Sequence, residues 1–247
     1  MRLDRFLSEM GRSGRKETAL AVRRGEILVN GVPAARPDLR IDENRDEVFL
    51  RGERVVYRRT VWLMLNKPQG VISATEDGRG QRTVLDLLPP EERRRGLFPC
   101  GRLDADTTGL ILLTDDGALA HLLLSPKRHA DKVYEYRAAR PVSVDDCRRA
   151  AEGMTLSDGT VCLPARIEPL TPQTGRITLR EGKYHQIKRM FGAMENRILA
   201  LRRISFAGVA LPPDLPEGAW RPLTAEEEAI LLSAGEGSKM HKKMNVK

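Results

Sequence analysis

The sequence predicts an α+β protein of two unequal parts: a small N-terminal αβ domain and a larger domain with a mixed, mainly antiparallel sheet. The chain has 247 residues, which exceeds the usual size of one domain. A polar stretch near its first quarter interrupts the apolar pattern, and beyond it strands and helices follow one another irregularly, which favours α+β architecture. We therefore expect domains over residues 1–56 and 61–234, a linker over 57–60, and a disordered basic tail over 235–247.

Composition limits the class of protein. Hydrophobic residues make up 40% of the chain and charged residues 31%, as in globular proteins. The net charge of +8 favours a polyanionic partner, because lysine and arginine gain affinity by releasing phosphate counterions; RNA, DNA and anionic lipid all fit. A membrane role is disfavoured, since no stretch approaches the ~20 apolar residues that span a bilayer. The charged N-terminus does not resemble a signal or transit peptide, so we expect a cytoplasmic protein.

The first domain begins with two predicted helices. Four apolar residues at helical spacing indicate the first helix, which Gly11 ends: Leu3, Phe6, Leu7 and Met10. Ser13 is expected to cap the second helix, over residues 15–24, and Gly25 to stop it. On the buried face of this helix we expect Ala19, Leu20 and Val22. Residues 27–29 then form a strand that enters an Asn-Gly turn, and further short strands follow.

Positive charge collects on or beside the second helix, at Arg12, Arg15, Lys16, Arg23 and Arg24. These residues either contact RNA phosphates or form an ordinary solvated helix face. The order of a helix, a basic helix and the segment GEILVNG resembles the S4 RNA-binding domain, and the resemblance covers residues 1–54. It implies binding of structured RNA.

The second domain is predicted to begin with a buried strand over residues 61–65, followed by a turn over 66–70. Further strands are expected over residues 109–114, 132–138, 176–180 and 198–206. A helix over 118–124 lies between the acidic cap Asp115-Asp116 and Ser125-Pro126, and another follows Ser143. Thr224 and Glu227 form a capping box for the last helix.

Several chemistries are disfavoured by what the sequence lacks. It has no phosphate-binding GxxxxGK[ST] loop, no GxGxxG after a strand and no Cys/His ligand set. Its three cysteines, Cys100, Cys147 and Cys162, lie far apart and are expected to be reduced thiols, with Cys100 in a strand core. The most unusual segment is the polar loop over residues 101–109, in which Asp104 and Asp106 could act as nucleophile, general acid or base, glycosidase-type pair, or turn formers.

The segment GRLDADTTGLILLTDDG, which contains this loop, resembles the active-site motif of pseudouridine synthases. The form DTTGL followed by LTDDG is especially similar to the branch that acts on small-subunit ribosomal RNA. The likeness continues in LNKPQG, SPKRHADKVYEY, EGKYHQIKRMF and RPLTAEE, in order along the chain. Together with the S4-like segment, it covers nearly the whole sequence apart from the tail.

The resemblance implies roles for four residues. The essential aspartate of the family falls on Asp104, and its basic partner falls on Lys188, close enough to form an ion pair. An aspartate in a pocket closed over a base needs such a cation to stay ionised. Tyr134 matches the tyrosine that stacks on the uracil, and Arg102 matches the arginine that fills the space left by a flipped nucleotide. Plainer alternatives are a phosphate contact for Lys188, an ordinary strand aromatic for Tyr134 and a local salt bridge for Arg102.

The family chemistry breaks the N-glycosidic bond of a uridine, turns the uracil and rejoins it through carbon 5, with no cofactor and no metal. Asp104 would either attack C1′ or remove the C2′ proton. The implied substrate is 16S ribosomal RNA, free or in a partly assembled small-subunit particle, with uridine 516 in the family's usual rRNA numbering as the expected target. We expect a monomer with no small-molecule or membrane partner.

Three alternatives remain. One is a synthase acting on 23S ribosomal RNA; GKYHQIKR favours the small-subunit branch, because the S4-containing large-subunit branch is nearer to GRNREVRR at this motif. Another is a non-catalytic RNA-binding ribosome-assembly protein, which the intact Asp104, Tyr134 and Lys188 disfavour. The third, a DNA-binding protein, has no helix-turn-helix pattern to support it.

Overall fold

The computed structural model describes residues 1–57, 60–93, 96–125 and 130–236. The chain divides into a first unit, Met1–Val61 with Leu88–Leu97, and a second unit, Trp62–Leu87 with Phe98–Lys247. The segment Leu88–Leu97 thus groups with the first unit, although the sequence analysis assigned it to the second domain.

The first unit contains short elements around a four-stranded antiparallel sheet in the order β2-β1-β3-β4. Two hairpin turns place paired residues at positive φ: Asn30 and Gly31 at 52° and 80°, Arg51 and Gly52 at 52° and 82°. Such turns match the right-handed twist of the strands, and the predicted Asn-Gly turn is confirmed. The elements are α1 (Leu3–Glu9), α2 (Arg15–Arg23), β1 (Ile27–Val29), β2 (Val32–Pro33), β3 (Val48–Leu50), β4 (Glu53–Val55) and α3 (Pro90–Arg93).

The core of the first unit is built from α1 and the sheet. The four apolar residues predicted to line one face of α1 are all buried: Leu3, Phe6, Leu7 and Met10. Tyr57 packs against this core, with its ring centroid 5.9 Å from that of Phe6. Tyr57 therefore belongs to the first unit and not to the predicted linker. Arg58 and Arg59, which make up half of that linker, lie outside the described residues.

The prediction for α2 was wrong in two respects. Its N-cap is Gly14, whose backbone N–H donates to Glu17 Oε2 at 2.9 Å; the hydroxyl of Ser13 instead pairs with that of Thr18, and both residues are buried. The fully buried residues of α2 are Thr18 and Ala21, whereas Leu20 is 46% exposed and the other two residues predicted as buried, Ala19 and Val22, are half-buried. The paired hydroxyls explain the difference, because a satisfied threonine can occupy a core position that the apolar pattern does not predict.

The second unit contains one large sheet with helices. Its elements are β5 (Trp62–Lys67), a 3₁₀ turn (Val84–Leu87), β6 (Phe98–Cys100), β7 (Thr108–Thr114), α4 (Gly117–Leu124), β8 (Lys132–Ala138), α5 (Val144–Glu152), β9 (Met154–Thr155), β10 (Val161–Cys162), β11 (Arg166–Pro169), β12 (Thr174–Leu179), α6 (Gln186–Ala193), β13 (Ile198–Phe206), β14 (Val209–Ala210), β15 (Trp220–Pro222) and α7 (Ala225–Glu236).

The large sheet has the strand order β11-β12-β8-β13-β7-β5-β15, with β14 paired to β13 and β6 paired to β7. Only the β13–β7 pair is parallel among the described strands. The predicted mixed, mainly antiparallel sheet is thus confirmed. Its central strands bury apolar residues such as Met64, Leu110 and Leu112 against α4 and α7. None of the helices in the described ranges combines the length and apolar character needed to cross a membrane.

Three helix caps of the second unit form as the sequence predicts. Asp116 accepts a hydrogen bond from Leu119 N, and Ser143 caps α5 through Asp146 N. Thr224 and Glu227 exchange the two hydrogen bonds of a capping box. The differences are local: β5 extends through Lys67 into the predicted turn, and α6 was not predicted. At the C-terminus, α7 includes Gly235 and Glu236, which the sequence analysis placed in the tail; residues 237–247 lie outside the described residues.

Candidate active site

The loop between β6 and β7 is held on both sides of Asp104. Ser73 Oγ donates to Leu103 O at 2.9 Å and accepts from Leu103 N at 3.0 Å. On the other side, Ala105 O accepts from Gly70 N at 2.8 Å and from Lys67 Nζ at 3.2 Å. The backbone next to Asp104 is therefore fixed by side chains and backbone of the segment that follows β5.

Lys67 is the buried support of this loop. Its side chain is inaccessible to solvent, and Nζ also donates to Pro68 O at 3.0 Å and Val71 O at 2.6 Å. Burial lowers the pKa of Lys67 to about 8, although the negative charges of Asp106 and Asp104 act in the opposite direction. The three carbonyl contacts satisfy the ammonium group, as a buried cation requires.

Asp104 is joined to α6. Lys188 Nζ lies 2.8 Å from Asp104 Oδ2 and 2.6 Å from Asp106 Oδ1, and His185 Nε2 lies 3.5 Å from Asp104 Oδ1. Burial alone would lower the pKa of Lys188, but its hydrogen bonds to both carboxylates raise it above the ordinary value. The hydrogen bond from Lys188 lowers the pKa of Asp106 despite partial burial. Lys188 therefore stays protonated between two carboxylates.

The two carboxylates differ in exposure. The side chain of Asp104 is 28% exposed and that of Asp106 is 61% exposed. Asp104 lines a cavity of about 880 Å³, whereas Asp106 lies outside its wall. Of the two, Asp104 is the carboxylate placed to meet a ligand in this cavity.

The cavity brings together the four residues that the pseudouridine synthase motifs indicated: Arg102, Asp104, Tyr134 and Lys188. Tyr134 is 8% exposed and lies on the same face of β8 as Tyr136, as the period of a strand requires. Arg102 is exposed and makes no hydrogen bond or ion pair with another residue in the described ranges, so the alternative of a local salt bridge is not observed there.

The five basic residues of the N-terminal segment lie in the first unit. Arg15, Lys16 and Arg23 are exposed on α2. Arg12 lies 3.5 Å from Glu53 and Arg24 lies 3.7 Å from Glu26, contacts that contribute little between exposed groups.

Sequence reasoning missed several residues of the site. His185 stacks on Tyr184 and contacts Asp104, although the family resemblance of HQIK implied a role only for Lys188. Lys132 and Arg203 line the cavity and are buried. The sequence did not indicate this, because charged residues in strands are ordinarily expected to be exposed. Cys100 is buried as predicted, and burial raises its pKa to about 12. In the described part of the chain, no cluster of three or more His, Cys, Asp or Glu residues could hold a metal ion.

Comparisons with known proteins agree on one family. The model of the RNA pseudouridylate synthase family matches residues 61–193. An uncharacterized RNA pseudouridine synthase of Bacillus subtilis, YtzG, is 45% identical over 94% of this chain and 98% of its own length. Ribosomal small subunit pseudouridine synthase A is 40% identical in Pseudomonas aeruginosa, over 92% of this chain and 98% of that protein. The Escherichia coli protein of the same name is 36% identical, over 94% of this chain and 100% of that protein.

A solved structure described as a pseudouridylate synthase superposes on this chain with a TM-score of 0.66. It is 35% identical and covers 94% of this chain and 99% of its own. The similarity thus extends across both units and is not confined to the motif around Asp104. The chain belongs to the RNA pseudouridylate synthase family and is a pseudouridine synthase.

Proposed function

We propose that this enzyme isomerises a specific uridine of 16S ribosomal RNA, with uridine 516 in the family's usual numbering as the expected target. The observation that carries the proposal is the Asp104–Lys188 ion pair at 2.8 Å on the wall of a cavity that Tyr134 also lines. The similarity to ribosomal small subunit synthases over more than nine-tenths of the chain supports the choice of RNA. Because the proposed substrate is ribosomal RNA, we expect the enzyme to act in the cytoplasm.

Asp104 is the proposed reacting group. Its carboxylate forms an ion pair with Lys188, and its backbone is anchored through Leu103 and Ala105 on either side. From this position it either bonds to C1′ of the ribose or removes the proton of C2′. Both routes release the uracil from C1′, and neither requires a cofactor or metal.

Tyr134 is proposed to support the flipped uracil, and Arg102 is proposed to fill the space that the flipped nucleotide leaves. Tyr134 lies on the cavity wall with its ring nearly inaccessible to solvent, where it can support a uracil that must turn. Arg102 is exposed and has no protein partner in the described ranges, so its guanidinium is available to the space that a flipped nucleotide leaves.

The first unit is proposed to be an S4-like RNA-binding domain. Its α2 helix presents the exposed cations Arg15, Lys16 and Arg23 beside Arg12 and Arg24. These side chains would contact phosphates of ribosomal RNA, free or in a partly assembled small-subunit particle. We expect the enzyme to act as a monomer, which sedimentation of the purified protein would test.

The proposal is tested by mapping pseudouridine across ribosomal RNA from cells with the gene, without it, and with the gene carrying Asp104→Asn. One pseudouridine of 16S RNA should disappear on deletion, return with the wild-type gene and stay absent with the variant. Disappearance of a pseudouridine of 23S RNA instead would show that the substrate is 23S ribosomal RNA. An unchanged map would refute the activity on ribosomal RNA and favour a role in ribosome assembly.

A further inference from the structure

Two buried cations line the cavity in addition to Lys188. Arg203 is 1% exposed and Lys132 is 8% exposed. Arg203 Nε donates to Leu110 O at 2.7 Å, but its Nη2 is buried without a hydrogen-bond partner among the residues that the structure describes. Lys132 Nζ donates to Ala130 O at 3.2 Å. Each cation therefore keeps donor capacity that the described protein groups do not use.

No carboxylate in the described ranges forms an ion pair with either cation. Both lie over the ring of Phe206 instead, with Lys132 Nζ 5.5 Å and Arg203 Cζ 5.3 Å from its centroid. Burial lowers the pKa of Lys132 to about 8, and the neighbouring charge of Arg203 lowers it further in the same direction. Burying two like charges without a counterion is costly, so a ligand that brings negative charge would offset part of this cost.

The sheet places this pair beside the tyrosine ring. Arg203 of β13 is directly opposite Tyr134 of β8, and Lys132 precedes Tyr134 by two residues on the same face of the strand. Directly opposite residues have Cβ atoms about 5 Å apart. A uracil held against Tyr134 would therefore lie next to both cations.

The reaction generates negative charge on that uracil. When the bond between C1′ and N1 breaks, both of its electrons stay with N1, and the charge spreads to the O2 and O4 oxygens and to C5. C5 then forms the new bond to C1′ while the bond from Asp104 to C1′ breaks or, on the other route, while the proton that Asp104 removed returns to C2′. The proton on C5 is lost, and N1 gains a proton. The atoms and electrons balance without an oxidant or reductant.

We propose that Arg203 and Lys132 bind the uracil that departs from C1′ and stabilise its negative charge while it is free of the ribose. This inference rests on the proposed uridine isomerisation and adds a second function to the cavity: Asp104 acts at the sugar, and the Arg203–Lys132 pair acts at the base. Donors fixed where charge develops stabilise a transition state because they need little reorganisation.

The test uses the full-length enzyme under single-turnover conditions, with the ribosomal RNA that the wild type modifies made with either uridine or 5-fluorouridine. The variants are Arg203→Met and Lys132→Met, which remove charge and keep an unbranched chain. The control is Arg176→Met, which removes a half-exposed arginine from β12 of the same sheet. Cleavage of the glycosidic bond is followed by loss of the parent nucleoside from nuclease digests.

With uridine, Arg203→Met should slow cleavage by roughly 10²- to 10³-fold, as loss of one preorganised donor does elsewhere, and the control should keep the wild-type rate. RNA affinity should change less than about threefold. Fluorine at C5 itself stabilises the uracil anion, so the defect should shrink by at least about tenfold with 5-fluorouridine.

An equal defect with both RNAs, or none with either, would overturn the inference. Weaker RNA binding with a normal rate at saturating enzyme would also overturn it, since the pair would then be a phosphate site. If Arg203→Met does not fold, Lys132→Met decides by the same criteria, and failure of both to fold would show that the pair only supports the structure. A wild type that modifies no RNA would instead refute the proposed function itself.

Discussion

Gly109 lies so close to Arg203 that no side chain fits between the two strands. A Cβ atom at Gly109 would be 2.2 Å from the carbonyl oxygen of Arg203 and 2.8 Å from its backbone nitrogen. The φ angle of Gly109 is +97°, a conformation that other residues rarely adopt. This glycine of the DTTGL motif thus permits the parallel pairing of β7 with β13 and fixes where Arg203 enters the cavity.

Gly109→Ala should therefore destabilise the second unit severely, by more than about 4 kcal/mol, because both backbone strain and a clash with fixed backbone must be relieved. Chemical denaturation of the purified variant measures the loss. Gly117→Ala is the matched control, since Gly117 has negative φ at the start of α4 and a Cβ there would meet no atom of the described residues within 4 Å. Equal stability of the two variants would contradict the close approach.

Asp104→Asn should abolish pseudouridine formation while RNA affinity falls little, because the amide keeps the shape and removes the charge. Asp106→Asn should be much milder, since Asp106 is 61% exposed and shares Lys188 from outside the cavity wall. Single-turnover rates at saturating enzyme, with deamidation excluded by mass spectrometry, compare the two variants. Equal loss would show that the pair of carboxylates acts as one unit.

Lys67→Met should lower the free energy of unfolding by on the order of 2 to 3 kcal/mol, because the carbonyl oxygens of Pro68, Val71 and Ala105 lose their donor. Activity per folded molecule should also fall, since Ala105 next to Asp104 loses its anchor. Arg176→Met, which removes a half-exposed cation, serves as the stability control. A variant as stable as the wild type would mean that water replaces the ammonium group at no cost.

The same lysine gives a pH dependence of defined sign. Burial lowers the pKa of Lys67 from its ordinary value of 10.5 to about 8, so between these values the unfolded chain binds more protons than the folded one. Stability contributed by this group therefore rises with pH from about 8 to 10.5. The difference in unfolding free energy between wild type and Lys67→Met should increase over that window, and a constant difference would show that Lys67 titrates normally.

Neutralising α2 should weaken RNA binding and reduce its salt dependence. In the triple variant Arg15→Gln, Lys16→Gln, Arg23→Gln, each lost phosphate contact should reduce the slope of log affinity against log salt by roughly 0.7 to 0.9. A triple change of the exposed arginines outside α2 is the control: Arg36, Arg45 and Arg54. Equal slopes for all three proteins would indicate that α2 is only a solvated helix face.

The elements that were predicted correctly are those whose bounds and caps are determined by residues close together in the sequence. The bounds of β8 and β13 match the prediction, and the caps at Ser143 and Thr224 form as expected because they depend only on neighbouring residues. Asp104 and Lys188 are 84 residues apart, so no local pattern could pair them. Only the family resemblance linked these two residues before their contact was observed.

The residues that were missed depend on tertiary contacts. Thr18 occupies a core position because Ser13 satisfies its hydroxyl. His185, which precedes α6, has a left-handed backbone conformation, and no capping residue in the sequence predicts that a helix begins there. Arg203 and Lys132 are charged residues in strands, and such residues ordinarily face solvent. Their burial becomes apparent only once β8 and β13 are paired around the cavity.

The position of β5 in the sheet constrains how the protein is made. Trp220 of β15 pairs with Leu65 of β5, and the side chain of Asn66 donates to Leu215 O across 149 residues of sequence. A chain that has emerged from the ribosome only as far as residue 210 contains every residue of the cavity yet lacks this edge of the sheet. Contacts between such distant segments form slowly. The strand that carries Lys67 therefore completes its pairing only after β15, which follows every residue of the cavity in the sequence, has been synthesised.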